Sequence, residues 1–124
     1  MKEILVSFEN SLERLREILE KEKTVANRDS AIKRFEFTVE LAWKCIQKFL
    51  RGEGIICRSP KECLKEAFKF GLIDDDPQWL AMMEDRNLTV HTYDEETAED
   101  VYNRLPGYLK YLDSLKEKLK LQKP

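Results

Sequence analysis

Apolar residues recur along this chain every three or four positions and almost never in strict alternation. Leu5, Phe8, Leu12, Leu15 and Leu19 form one such series. Phe35, Val39, Ala42, Ile46 and Phe49 form a second, with spacings 4-3-4-3, and Ala98, Val101, Leu105, Leu109 (or Tyr108), Leu112, Leu115 and Leu119 a third. A stripe at this period lies on one face of an α-helix and must be buried against another element. The connections between the stripes are short, and short connections join antiparallel neighbours. The pattern predicts an all-α fold: an antiparallel up-and-down four-helix bundle with an extra short helix, five helices in all.

Capping residues set the expected boundaries. Asn27 is the predicted N-cap of the second helix, which should run to about Phe49 or Leu50 and stop before Gly52 and Gly54. Ser59-Pro60-Lys61-Glu62 reads as a capping box opening a third helix with Leu64, Ala67 and Phe68 inward, and Gly71 ends it. Asp74-Asp75-Asp76-Pro77 opens a fourth with Trp79, Leu80, Met82 and Met83 on its buried side. That helix should weaken after Asn87, because Leu88-Thr89-Val90-His91-Thr92-Tyr93 is rich in β-branched residues. Thr92-Tyr93-Asp94-Glu95 offers a further capping box, so the fifth begins near Asp94, and it should kink at Pro106-Gly107.

The 124 residues are expected to form a single domain, 1–124, with 42% hydrophobic residues for one core and 37% charged for its surface. No apolar run reaches the ~18–20 residues that span a bilayer. The opening Met1-Lys2-Glu3-Ile4-Leu5 lacks the long apolar stretch of a signal peptide, so the expected location is cytoplasmic. Cys45, Cys57 and Cys63 cannot all pair within the chain and read as reduced thiols, Cys45 as a small core residue. One histidine and no Cys-x-x-Cys pair make no zinc-ligand set, so no metal and no cofactor are expected.

A formal net charge of −2 does not suit a general nucleic-acid coat, and its distribution is uneven. Residues 28–69 carry ten Lys/Arg against six Asp/Glu; residues 74–100 carry ten acids against Arg86 alone. That acidic stretch contains Arg86-Asn87-Leu88-Thr89-Val90-His91-Thr92-Tyr93, which holds the only histidine. On an ideal helix, residues five apart lie about 140° round the axis, so Arg86 and His91 converge only if the helix ends or bends between them. Chemically the three polar residues suit a phosphodiester. An arginine supplies a fixed charge for phosphate oxygens and for charge that grows in the transition state. A histidine can take the proton of a ribose 2′-hydroxyl without a metal. A histidine at a helix junction equally serves as a cap, and the residues alone leave both roles open.

The string Arg86-x4-His91-x-Tyr93, with polar Asn87 after the arginine, resembles the signature of HEPN toxins. Arg34-Phe35-Glu36-Phe37-Thr38-Val39-Glu40-Leu41-Ala42-Trp43-Lys44 is similar to the second helix of the nucleotidyltransferase substrate-binding subgroup of that superfamily. So is Arg58-Ser59-Pro60-Lys61-Glu62-Cys63-Leu64-Lys65-Glu66-Ala67, leading to Gly71-Leu72-Ile73. The resemblance implies a homodimer in which two Arg/His sites face one cleft, metal-independent cleavage of RNA, and a minimal nucleotidyltransferase antitoxin encoded nearby as partner. Carried over by position, Arg86 would stabilise phosphate and His91 would act as base or orienting group. Asn87 would support the site, and Tyr93 would accept AMP from the partner. Similar proteins have also been described as substrate-binding subunits of the nucleotidyltransferase with no activity assigned to them, and the alternative reading is such a subunit without catalysis of its own.

Two further carboxylates are candidates for supporting roles. Glu36 and Glu40 lie four apart on the second helix, beside Arg34 and Lys44. They form either a solvated face with local ion pairs or a contact to Arg86 or His91 that orients it. Asp85, Asp94, Glu95 and Glu96 flank the motif and would repel an RNA backbone. That repulsion is relieved if Arg28, Lys33, Lys44 and Lys48 fold over the cleft, or if the acids dock a basic surface of the partner.

Overall fold

The structure, a computed structural model, describes residues 1–122; Lys123 and Pro124, the end of the expected 1–124 domain, lie outside the described residues. The fold is all-α. Five helices follow in order: α1 (Lys2–Leu19), α2 (Val25–Gly52), α3 (Pro60–Phe70), α4 (Pro77–His91) and α5 (Glu95–Leu121). No strand occurs among the described residues. None of the helices is long and apolar enough to cross a membrane.

The three predicted stripes form the interior. Phe8, Leu12 and Leu15 of α1, Phe35, Val39, Ala42 and Ile46 of α2, and Val101, Leu105, Leu112 and Leu115 of α5 are each almost wholly removed from water. They join one contiguous cluster to which α3 and α4 add Ala67, Trp79 and Met82. Side-chain bridges give the helix directions. Ser11 meets Thr38 at 2.6 Å and Arg34 donates to the Arg14 carbonyl at 2.8 Å, so α1 and α2 run antiparallel. Arg16 pairs with Asp113 and Lys120 with Glu9, so α1 and α5 do too. On α2 and α5, Arg28 meets Glu95 while Phe35 stacks on Tyr108, so these two run parallel.

Three of the predicted starts hold. Ser59 accepts from the Glu62 amide at 3.1 Å, Asp76 from that of Gln78 at 2.9 Å, and Asp94 from that of Thr97 at 2.8 Å. Pro60 and Pro77 occupy first-turn positions that have no helical acceptor for an N–H. Gly71 closes α3 at φ 96°, a left-handed conformation that costs a glycine little. Glu62 reaches back to the Arg58 amide, one residue before the cap.

Other expectations are corrected. α2 begins at Val25, not beyond Asn27: Thr24 is the cap, accepting from the Asn27 amide at 3.0 Å, while Asn27 bonds the Glu22 carbonyl. It also continues through Gly52, and Gly54 makes the turn at φ 82°. Phe68 and Leu80 are exposed, since α3 and α4 are covered on one side only. Cys57 and Cys63 are joined in a disulfide and are not reduced thiols; the short connector lies against the first turn of α3, leaving their Cα atoms 5.1 Å apart. Cys45 is the buried free thiol, its pKa pushed up to about 12 by burial. At Pro106, the position of the expected kink, α5 is not interrupted, and Leu105 and Tyr108 beside the missing donor are buried.

Two polar networks fix α5 against its neighbours. Asp85 of α4, almost wholly buried, accepts two hydrogen bonds from Arg104 at 2.8 and 2.9 Å and one from the Tyr108 hydroxyl at 2.6 Å. Arg28 of α2, only 2% exposed, donates to Asp29, to both oxygens of Glu95 and to Glu99. Lys23 also pairs with Glu99.

Tyr108→Phe removes a hydrogen bond to a buried carboxylate while keeping the ring, so denaturant unfolding should show a loss of about 1–3 kcal/mol. Acid should act on the Arg28 network. Hydrogen bonds from Arg28 hold Glu95 below the usual carboxylate range; Lys23 and then Arg28 do so for Glu99, and Tyr93 and then Arg28 for Asp29. Groups depressed in the folded state contribute fully above their unfolded pKa of about 4 and lose that contribution as pH falls through the folded values. Thermal melts should therefore hold steady from neutral pH to about pH 5 and fall below about pH 4. Arg28→Met should melt lower throughout and show a shallower acid decline.

Candidate active site

The motif residues sit at the end of α4 and in the Thr92-Tyr93-Asp94 link to α5. The expected weakening after Asn87 does not occur: α4 continues to His91 and ends with the Thr92 amide on the Leu88 carbonyl at 2.7 Å. The propensity cost of Thr89 and Val90 is a few tenths of a kcal/mol each. Packing outweighs it, because Thr89 is buried on the α2 side and its hydroxyl donates to the Arg86 carbonyl at 3.2 Å. Because α4 is uninterrupted between them, helical geometry sets Arg86 and His91 about 140° apart round the axis. No hydrogen bond joins them within one chain. His91 is exposed.

Helix α2 supplies the other wall. Its residues Asp29, Lys33, Glu36 and Glu40 follow one another at four, three and four positions and lie along the seam with α4. Glu40 stands opposite Arg86, with Oε2 to Nη2 at 3.1 Å. The same carboxylate accepts from the Trp43 indole at 3.2 Å and pairs with Lys44 at 3.4 Å. Arg86 also donates from Nη1 to Asn87 at 3.1 Å, which ties the predicted supporting residue to it. Its Nε is buried without an acceptor. Of the two carboxylates weighed from sequence, Glu40 therefore makes the arginine contact. Glu36 lies one turn away, nearly buried and 3.7 Å from Lys33.

Tyr93 occupies the far end of this seam. Its hydroxyl donates to Asp29 Oδ1 at 2.5 Å. Burial, then the adjacent Asp29 carboxylate, pushes the phenol up to about 12, and the same hydrogen bond holds Asp29 below its ordinary range. A cavity of about 280 Å³ opens beside the pair, lined also by Lys33, Glu36 and Val90. The structure thus gathers Arg86, Asn87 and Glu40 in one cluster and Tyr93 and Asp29 in another, with Glu36 lining the cavity between α2 and α4.

Asp29 was not among the residues expected from the sequence. A signal existed: Asp29, Glu36 and Glu40 fall at i, i+7 and i+11, one face of a helix. The flanking acids prove largely engaged, Asp85 by Arg104, Glu95 by Arg28 and Asp94 by its capping bond. The basic residues divide. Arg28 is consumed by that pairing, and Lys48 lines a separate cavity with Met1 and Leu119. Lys33 and Lys44 stand along the seam, on the cavity and on Glu40. Among the described residues no group of three or more His, Cys, Asp or Glu side chains could hold a metal ion.

Comparison with known proteins agrees with this architecture. A Haemophilus influenzae protein named Probable ribonuclease HepT is 38% identical over 95 residues, which cover 73% of this chain. The matched region spans about two thirds, 65%, of that relative's length. A crystal structure from Thermus thermophilus superposes with a TM-score of 0.84 at 39% identity, covering 90% of this chain and 98% of that one. A second structure, from Haemophilus influenzae and described as revealing the fold of a substrate-binding domain of a nucleotidyltransferase, gives 0.70 at 30% identity with 96% of each chain covered. The family described as nucleotidyltransferase substrate binding protein like matches residues 3–121, and the chain belongs to that family.

Proposed function

We propose that this protein is the HEPN ribonuclease of a two-component module whose other member is a minimal nucleotidyltransferase antitoxin. The observation that carries the reading is Arg86 on the α2–α4 seam, oriented by Glu40 and Asn87, with His91 exposed one turn beyond. It is supported by the 38% identity to a protein named Probable ribonuclease HepT. Arg86 neutralises the scissile phosphate and the charge that develops on it. His91 takes the proton of the ribose 2′-hydroxyl, whose oxygen attacks the adjacent phosphorus and expels the 5′-oxygen of the next nucleotide, leaving a 2′,3′-cyclic phosphate.

Because Arg86 and His91 diverge on a continuous helix, the proposed active unit is a homodimer of up-and-down four-helix bundles, with α3 as the extra short helix. Pairing two copies brings two Arg/His sets to one RNA cleft. Tyr93 is the proposed acceptor of AMP from the nucleotidyltransferase, which neutralises the toxin by modifying and binding it. The second reading is a substrate-binding subunit without catalysis of its own. The Arg86–Glu40 ion pair and the separation of Arg86 from His91 favour it, as does the description of the 30%-identical relative.

Arg86→Ala and His91→Ala should each lower cleavage of a model RNA by the purified protein about a hundredfold or more. Wild-type products should end in 2′,3′-cyclic phosphate whether or not a chelator is added. Undiminished cleavage by either variant would remove that residue from the mechanism. Expression of the chain alone should arrest growth, with relief by His91→Ala at matched expression; normal growth with both proteins would select the binding-subunit reading. After incubation with the nucleotidyltransferase and ATP, mass spectrometry should find AMP on Tyr93 and none at that position in Tyr93→Phe.

A further inference from the structure

A tyrosine that accepts an adenylyl group must shed its phenolic proton as its oxygen bonds to phosphorus. Tyrosine ordinarily ionises near pH 10, and here the phenol is pushed up to about 12. At neutral pH about one molecule in 10⁵ would carry the phenolate, too few to serve a useful rate unaided. A base in hydrogen-bond contact removes that constraint. The Tyr93 hydroxyl has one such contact, to Asp29 Oδ1 at 2.5 Å.

The carboxylate is built to hold still. Arg28 donates to the same oxygen from Nε at 3.1 Å and from Nη2 at 3.0 Å. Arg28 is itself buried and fixed by Glu95 and Glu99. Asp29 and Tyr93 nevertheless stay about half exposed, at 44% for the aspartate side chain and 47% for the tyrosine, so a phosphoryl group can reach the hydroxyl. The cavity beside them carries Lys33, whose ammonium bears the cation on that approach.

We propose that Asp29 is the general base for nucleotidyl transfer to Tyr93, an assignment that rests on the reading of Tyr93 as the AMP acceptor. The Tyr93 oxygen forms a bond to the α-phosphorus of ATP held by the partner nucleotidyltransferase. The bond from that phosphorus to the bridging oxygen of the β-phosphate breaks, and pyrophosphate leaves. The phenolic proton passes to the Asp29 carboxylate and then to solvent. No oxidation or reduction is involved. Asp29 remains ionised throughout the neutral range, and the phenol becomes acidic enough to protonate it as the oxygen–phosphorus bond forms.

The test is the initial rate of AMP addition to Tyr93, followed by intact mass in the complex with the nucleotidyltransferase and magnesium ATP. Asp29→Asn should lower that rate about a hundredfold or more while still co-eluting with the partner. Its residual rate should rise about tenfold per pH unit between pH 7 and 9, tracking phenolate, where the wild type is nearly flat. Asp29→Glu, which retains a carboxylate, should recover part of the rate and the flat profile, and serves as the deciding variant if Asp29→Asn fails to fold. Modification of Asp29→Asn at the wild-type rate, or a rate lost only in step with binding to the partner, would overturn the assignment and leave Tyr93 as acceptor. A wild-type protein unmodified at Tyr93 would overturn the reading beneath it as well.

Discussion

A guanidinium with 2% of its surface exposed must have its charge matched, and Arg28 is matched by three carboxylates from two parts of the chain. Asp29 is its sequence neighbour; Glu95 and Glu99 are about seventy residues away on the first turns of α5. Leaving such a cation unpaired would cost several kcal/mol, so α5 can begin only where those glutamates reach it. The start of α5 in turn fixes the length of the link from α4. Tyr93, in that link, is thereby delivered to the carboxylate that Arg28 orients. One ion cluster near the end of the α2–α4–α5 layer therefore sets both a helix junction and the environment of the tyrosine.

Pairing within the chain also relieves much of the electrostatic difficulty of an acid-rich segment beside the proposed RNA site. Asp85 is spent on Arg104 and Tyr108, Asp74 pairs with Lys118, Asp76 caps α4 and accepts from Tyr111, and Glu95 and Glu99 face Arg28 and Lys23. Internal pairing reduces the field such charges project. Along the seam itself Lys33, Lys44 and Arg86 stand against Asp29, Glu36 and Glu40, which is balanced and not acidic. Glu40 has a double effect. It orients Arg86, and it competes with any phosphate for the same guanidinium, so an incoming anion must displace or share that contact.

Local chemistry made most of the fold legible. The three apolar stripes, the proline-led helix starts at Ser59 and Asp76, the start of α5 near Asp94 and the glycine stop at Gly71 are each decided within a few residues, and the structure follows them, though Asp94 and not Thr92 supplies the last cap. The misreadings arise where tertiary contacts outweigh a small local preference. The α4 end is the clearest case: a β-branched run costs tenths of a kcal/mol per residue, and burying Thr89 against α2 exceeds it. Phe68 and Leu80 are inward-facing by residue type, yet a helix packed on one side exposes a flank. Asp29 and Arg104 were missed for a different reason. Their partners lie 64 and 19 residues away, and no period in the sequence encodes a pairing at that range.

The continuity of α4 through His91 bears on what modification of Tyr93 would accomplish. Arg86 faces α2 while His91 lies about 140° round the axis, so a single seam presents only part of the proposed catalytic set. Tyr93, by contrast, lies on that seam, at the Asp29 end of the line that leads through Glu36 to Glu40 and Arg86. An AMP ester there would replace the hydroxyl proton that now satisfies Asp29 with a phosphodiester carrying about one negative charge. Asp29 and Glu36 would repel it, and the nearest cation on the cavity is Lys33. The adenylyl group would therefore be driven out of the Asp29 contact towards solvent at the Tyr93 end of the seam, adding bulk and negative charge beside the groove that leads to Arg86. On this reading inhibition needs no refolding of the bundle, because the modified residue already borders the path to the arginine.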